Sequence, residues 1–159
     1  MSSYNVMTQR LGLIVLFLLI QGLSKGQTFI NPTGTYELDS KTKIKDGDTY
    51  GYFGEINVKL IDSNKVAMNF YICKGAPSYN SGSFVDTLLY HNNIAIYKDK
   101  YDTVKSCKVI FTFSNTKIKL QESANYAYGL CWGQGVVAFG NFRKINSKVP
   151  VIKDPLRDK

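Results

Sequence analysis

From Glu55 to Leu60 apolar and polar residues alternate one for one, with Ile56, Val58 and Leu60 on one side of the chain and charge or amide on the other. Asp62-Ser63-Asn64-Lys65 then reads as a turn, and Val66, Met68, Phe70 and Ile72 resume the same period of two. Successive side chains of a β-strand point to opposite faces, so this spacing predicts strands with one buried face. Phe84 to Tyr90 forms another run, His91-Asn92-Asn93 its turn, and Ile94-Ala95-Ile96-Tyr97 the return. Cys107, Val109, Phe111 and Phe113 share a face, Ser114-Asn115-Thr116 turns, and Ile118 and Leu120 come back. No sustained 3.6-residue period occurs after residue 26, so little helix is expected.

The pattern yields eight strands, at residues 34–38, 54–61, 65–73, 83–90, 93–98, 107–113, 117–121 and 135–145. Several links span only a few residues, which forces antiparallel neighbours. A one-sided meander must hide its apolar face, and closing the sheet on itself also removes both edges. The expected fold is therefore all-β, a single antiparallel eight-stranded meander closed or nearly closed into a barrel. A two-layer sandwich is the alternative. Gly34-Thr35-Tyr36 and Gly140-Asn141-Phe142-Arg143 are the segments expected to meet at closure.

The amino terminus belongs to a different class. Arg10 precedes the uncharged run Leu11 to Ile20, and Ser24 and Gly26 supply small residues beyond it. This is the layout of a secretory signal peptide cut after Gly26. The apolar run is too short to span a hydrocarbon core of roughly 30 Å as helix, so no stable membrane anchor is expected. Residues 1–26 are read as signal peptide, 27–145 as the barrel domain and 146–159 as a basic tail with Pro150 and Pro155, solvated or strapped along the barrel through Val149, Val151 or Ile152. Removing the signal lowers the net charge from +8 to +6, and residues 141–159 alone carry +4. With the excess charge at one end and a secreted or periplasmic destination, nucleic acid is not an expected partner.

Three cysteines in a secreted chain imply one disulfide and one thiol, or a bond between chains. Cys107 starts a strand and Cys131 lies in the link before the last one, so Cys107–Cys131 is the favoured pairing. Pairings through Cys73, or no bond, remain open. His91, the only imidazole, sits in a turn without a motif. Asp46 and Asp48 begin an EF-hand-like spacing, but Tyr50 and Asn57 occupy later ligand positions. Zinc spacing is absent. No spacing places any two of Glu37, Glu55, Asp86 and Glu122 together as a glycosidase pair. No catalytic residue, metal site or cofactor is expected, and the protein is read as a monomeric non-enzyme.

Two loops carry the remaining signal. Residues 74–83 hold Tyr79 and Asn80 among small residues, and residues 129–135 hold Trp132 and Gln134 between glycines. Aromatic side chains on rigid loops are favoured contact residues, so Tyr79, Asn80, Trp132 and Gln134 are the candidate partner-binding set. The competing reading makes Trp132 the plug of a barrel end. The segments 75–83 and 107–113, then Cys131 and its Gly-rich link into Gly140-Asn141-Phe142-Arg143-Lys144, resemble small secreted or periplasmic bacterial proteins of the calycin-like and periplasmic lysozyme-inhibitor type. That resemblance implies a barrel outside the cytoplasm that binds rather than catalyses. The expected function is contact with another protein through loops 74–83 and 129–135, as an inhibitor or immunity-type protein. The alternative is a carrier holding a small apolar ligand inside the barrel. For the exported protein, intact-mass analysis is expected to find a chain beginning at Gln27; retention of residues 1–26 would remove the signal-peptide reading.

Overall fold

The computed structural model describes residues 28–100, 106–124, 131–132 and 134–156. Residues 1–26, where a signal peptide is expected, and residues 129, 130 and 133 of the second loop lie outside them. The described chain forms nine strands: β1 Gly34–Leu38, β2 Lys43–Lys45, β3 Asp48–Asp62, β4 Lys65–Gly75, β5 Ser81–His91, β6 Ile94–Lys98, β7 Lys108–Phe113, β8 Lys117–Ser123 and β9 Gly140–Asn146. All neighbours are antiparallel. The order runs β1-β9-β8-β7-β6-β5-β4-β3-β2, and β1 also pairs with β3, so eight strands close into a barrel with β2 outside it.

Closure falls where the two glycine-led segments were expected to meet. Tyr36 lies opposite Lys144 in β9 and opposite Ile56 in β3. The inward positions of the alternating runs make the core: Ile56, Val58, Val66, Met68, Phe70, Ile72, Val109, Phe111, Ile118 and Phe142 are all buried. Fully burying each large apolar side chain contributes about 1.5–3 kcal/mol.

Two segments depart from the expected pattern. β2 and the first third of β3 form a hairpin through Asp46 and Gly47, both at positive φ, which extends past the barrel rim. The sequence pattern does not mark this hairpin, because Tyr50-Gly51-Tyr52-Phe53-Gly54 does not alternate. Conversely, residues 135–139 are not strand, and β9 starts only at Gly140. Val136 and Ala138 are buried there without a ladder, because the Ala138 amide donates to a Glu122 carboxylate oxygen instead. The tail begins one residue later than expected, since Asn146 still pairs with Thr35. Val149 and Val151 are exposed and Ile152 is half-buried. The Lys153 carbonyl accepts a 2.7 Å hydrogen bond from Asn69 Nδ2, tying the tail to the outer face of β4.

The turn between β5 and β6 anchors the start of the described chain. Asn92 and Asn93 have φ of 49° and 58°, the two-residue geometry that matches strand twist and that asparagine tolerates. Asn93 is buried; its Oδ1 accepts from the Ile30 amide and the Tyr90 hydroxyl, and its Nδ2 donates to the Thr28 carbonyl. The single Tyr90 hydroxyl proton is shared between Asn93 Oδ1 and, at the shorter 2.7 Å, the Ile30 carbonyl, and Tyr36 Oη donates to the Pro32 carbonyl. Residues 28–32 thereby close this end of the barrel. Asn93→Ala would leave the Ile30 amide and the Thr28 carbonyl without these bonds, remove one acceptor of the Tyr90 hydroxyl and strain the turn, an expected cost of about 2–4 kcal/mol. A urea midpoint that falls at unchanged m-value checks it.

Candidate functional site at the loop end of the barrel

The two loops singled out by sequence converge at the opposite end. Asn80 Nδ2 donates to the Gln134 carbonyl at 3.2 Å, joining them. The first loop passes through a cis Ala76–Pro77 bond and is closed by hydrogen bonds from the Tyr79 amide to Gly75 and from the Lys74 amide to Asn80. Tyr79 has a φ of 51° and is 42% exposed. Its hydroxyl donates to Asp48 Oδ1 at 2.8 Å and accepts from the Thr49 amide at 3.0 Å, so the β2–β3 hairpin fixes the ring. The bond to Asp48 holds the proton on the phenol and raises its pKa. Tyr52 Oη donates to the Gly135 carbonyl, and its ring meets that of Phe139 edge-on. Tyr50 and Phe139 are exposed nearby.

The second loop is pinned from below. Cys107 and Cys131 form a disulfide, and Cys73 is a buried thiol. Glu122, read from sequence as one of several scattered acids, accepts from the Cys131 and Ala138 amides, so it clamps both ends of this loop. Nothing in the spacing announces that role, because the donors are backbone groups 9 and 16 residues away.

Trp132 turns inward. Its ring stacks in near-parallel planes with Phe84 and Tyr97, at centroid distances of 6.4 and 5.9 Å, and tilts against Phe70. Gly82 makes the seat, since a Cβ there would fall 2.4 Å from the indole Cγ. The Trp132 Nε1–H is buried without a hydrogen-bond partner among the described residues. Burial pushes the Tyr97 phenol up to about 12, with Asp99 and Asp86 adding to the rise, so this aromatic layer is uncharged at neutral pH. Tyr79, Asn80 and Gln134 therefore share one surface, while the Trp132 ring plugs the barrel beneath it.

The remaining candidates lie elsewhere. His91 is exposed at the far end of β5. The β1–β3 register places Glu37 directly opposite Glu55, a pairing that the spacing did not disclose. With Asp39, Arg143, Phe53 and Tyr71 they line a surface hollow of about 460 Å³, and both carboxylates are exposed. Among the described residues no group of three His, Cys, Asp or Glu side chains is placed to hold a metal ion. Comparison with family models, curated proteins and solved structures finds no match.

Trp132→Ala is expected to destabilise the fold by about 3–5 kcal/mol through the cavity it leaves. Gly82→Val, which drives a side chain into the indole, is expected to lower the melting temperature as well. An unchanged melting temperature for both would show that the ring bears no structural load.

Proposed function

We propose that this is a secreted, non-enzymatic binding protein that contacts another protein through the loop end of the barrel, in the manner of an inhibitor or immunity-type protein. The observation that supports this reading is the Asn80–Gln134 hydrogen bond, with Tyr79 held outward beside it by Asp48 and Thr49. A loop surface already ordered before binding loses less conformational entropy on association. Tyrosine supplies a large, rigid contact with a polar tip. Tyr79, Asn80 and Gln134 form the contact, joined by the exposed Tyr50 and Phe139, and Trp132 supports it from inside.

The carrier reading has less support. Phe70 lies within 5.5–6.2 Å, centroid to centroid, of Phe84, Phe111, Trp132 and Phe142, so rings occupy the space a small apolar ligand would need. The excess of positive charge favours a partner with an acidic or neutral contact surface.

Capture of the partner by the exported protein, followed by affinity measurement on variants, tests the proposal. Tyr79→Ala is expected to cost at least about 2 kcal/mol of binding, roughly thirtyfold in affinity, at an unchanged melting temperature. His91→Ala is expected to change neither. Equal affinity of Tyr79→Ala, Gln134→Ala and the parent protein would move the contact away from this end.

A further inference from the structure

The wall of the barrel is incomplete between β5 and β6. Their ladder holds only two pairs, Tyr90–Ala95 and His91–Ile94, beside the turn. Beyond them β5 stays paired with β4 as far as Ser81, and β6 with β7 as far as Lys98. The register tells which backbone groups face the opening. The Tyr90 amide bonds to Asn64, on the β4 side, so the even positions of β5 serve β4 and Val85, Thr87 and Leu89 point toward β6. The Phe113 amide bonds to Asn93, so Ala95 and Tyr97 serve β7, while Ile96 and Lys98 point toward β5. Of these donors, the Thr87 amide is taken by Asp86 Oδ1. The Tyr90–Ala95 pair is of the non-hydrogen-bonded kind, so the Ile96 amide is taken by the Leu89 carbonyl; the Val85, Leu89 and Lys98 amides have no ladder partner among the described residues.

Asp86 explains the opening. It shares the inward parity of Phe84 and Leu88 and lies opposite buried Met68. Burying its charge would be costly, and the parted strands let the carboxylate reach Lys100 at 3.0 Å. The interior stays sealed behind the opening, because Phe84 and Tyr97 stack at 4.0 Å with an interplanar angle of 5°.

Outside that seal runs a groove of about 690 Å³ lined by Leu89, Ile94, Ile96, Lys98 and Lys100, with Asp86 and His91 among its other walls. Leu89 is 72% exposed, and Val85 and Ile96 are exposed beside it. One end is strongly basic: Lys98 lies directly opposite Lys108 on the outer face, and Lys100 is near. Like charges facing each other across strands are unfavourable, and a carboxylate between them would relieve the repulsion.

We propose that this seam is a strand-addition site for an extended segment of another protein, one that carries apolar residues at alternate positions and acidic residues at the end meeting Lys98, Lys100 and Lys108. The amides and carbonyls of Val85 and Lys98, the Leu89 amide and the Ile96 carbonyl, without a ladder partner among the described residues, supply main-chain hydrogen bonds, Leu89 and Ile96 the apolar contact, and the lysines the direction. The site is separate from the loop end proposed above, so either can fail without the other.

The test uses two synthetic peptides, glutamate pairs placed first or last on an alternating valine–threonine segment, with amide hydrogen exchange followed by NMR. One direction is expected to bind and to slow exchange at Val85, Leu89 and Lys98. Replacing its central residue with proline, or the glutamates with lysine, is expected to weaken binding roughly tenfold or more. The Lys98→Glu variant, changed at an exposed position outside the Asp86–Lys100 pair, is expected to weaken it likewise at an unchanged melting temperature. The proposal is overturned by equal binding of the proline peptide, or by protection elsewhere only. Protection before peptide is added would overturn it too. In that case, dependence on protein concentration would identify a second copy as the occupant.

Discussion

β1 lies between β9 and β3, and this double pairing is the constraint on which the rest depends. With it, the backbone groups of Thr35, Tyr36 and Glu37 are shared between the first and last parts of the sheet, and the apolar face becomes an interior. The interior of an eight-stranded barrel is filled by side chains or holds one small ligand. Phe70 and its aromatic neighbours occupy that space, and Tyr36 sits fully buried at the seam of closure. A filled tube still has two ends that need covering. Residues 28–32, held by Asn93, Tyr90 and Tyr36, cover one, and the Trp132 ring covers the other.

These end covers also organise the surface. The ring of Trp132 rests on Gly82, the disulfide at Cys131 ties its neighbour to Cys107, and Glu122 takes two amides of the same segment. Because the second loop is fixed from inside, its carbonyl at Gln134 is available as a fixed acceptor for Asn80. The β2–β3 hairpin, which adds nothing to the barrel wall, reaches over the rim to orient Tyr79. A structural aromatic below and an exposed aromatic above thus divide the roles that one loop composition suggests for both.

The β5–β6 seam shows what happens where the alternating pattern is broken by a charge. Phe84, Leu88 and Tyr90 follow the inward parity, but Asp86 stands among them. Its carboxylate needs solvent or a cation, and the strands part to provide both. The consequence is a short stretch of barrel wall whose backbone lacks ladder partners among the described residues.

Alternation is a property of neighbouring residues, and it determined much of this protein. The inward faces of β3, β4, β5, β7 and β8, the antiparallel order and the glycine-led closing segments all follow from residues two apart and from turns a few residues long. The placement of Cys107 and Cys131 beside one another follows from the same reasoning, since one hairpin return separates them. Tertiary structure decided what depends on contacts distant in the chain. Only the β1–β3 register brings Glu37 opposite Glu55, and only the distant acceptor Asp48 keeps Tyr79 facing outward. Glu122 became a loop clamp because backbone amides arrive beside it, and Asp86 opened a seam because the barrel placed it opposite buried Met68. Trp132 faces inward because Gly82, fifty residues earlier, leaves a space of its shape. A local pattern can say that a residue lies on a strand or in a loop, but the direction of a loop side chain is set by whichever distant surface has room for it.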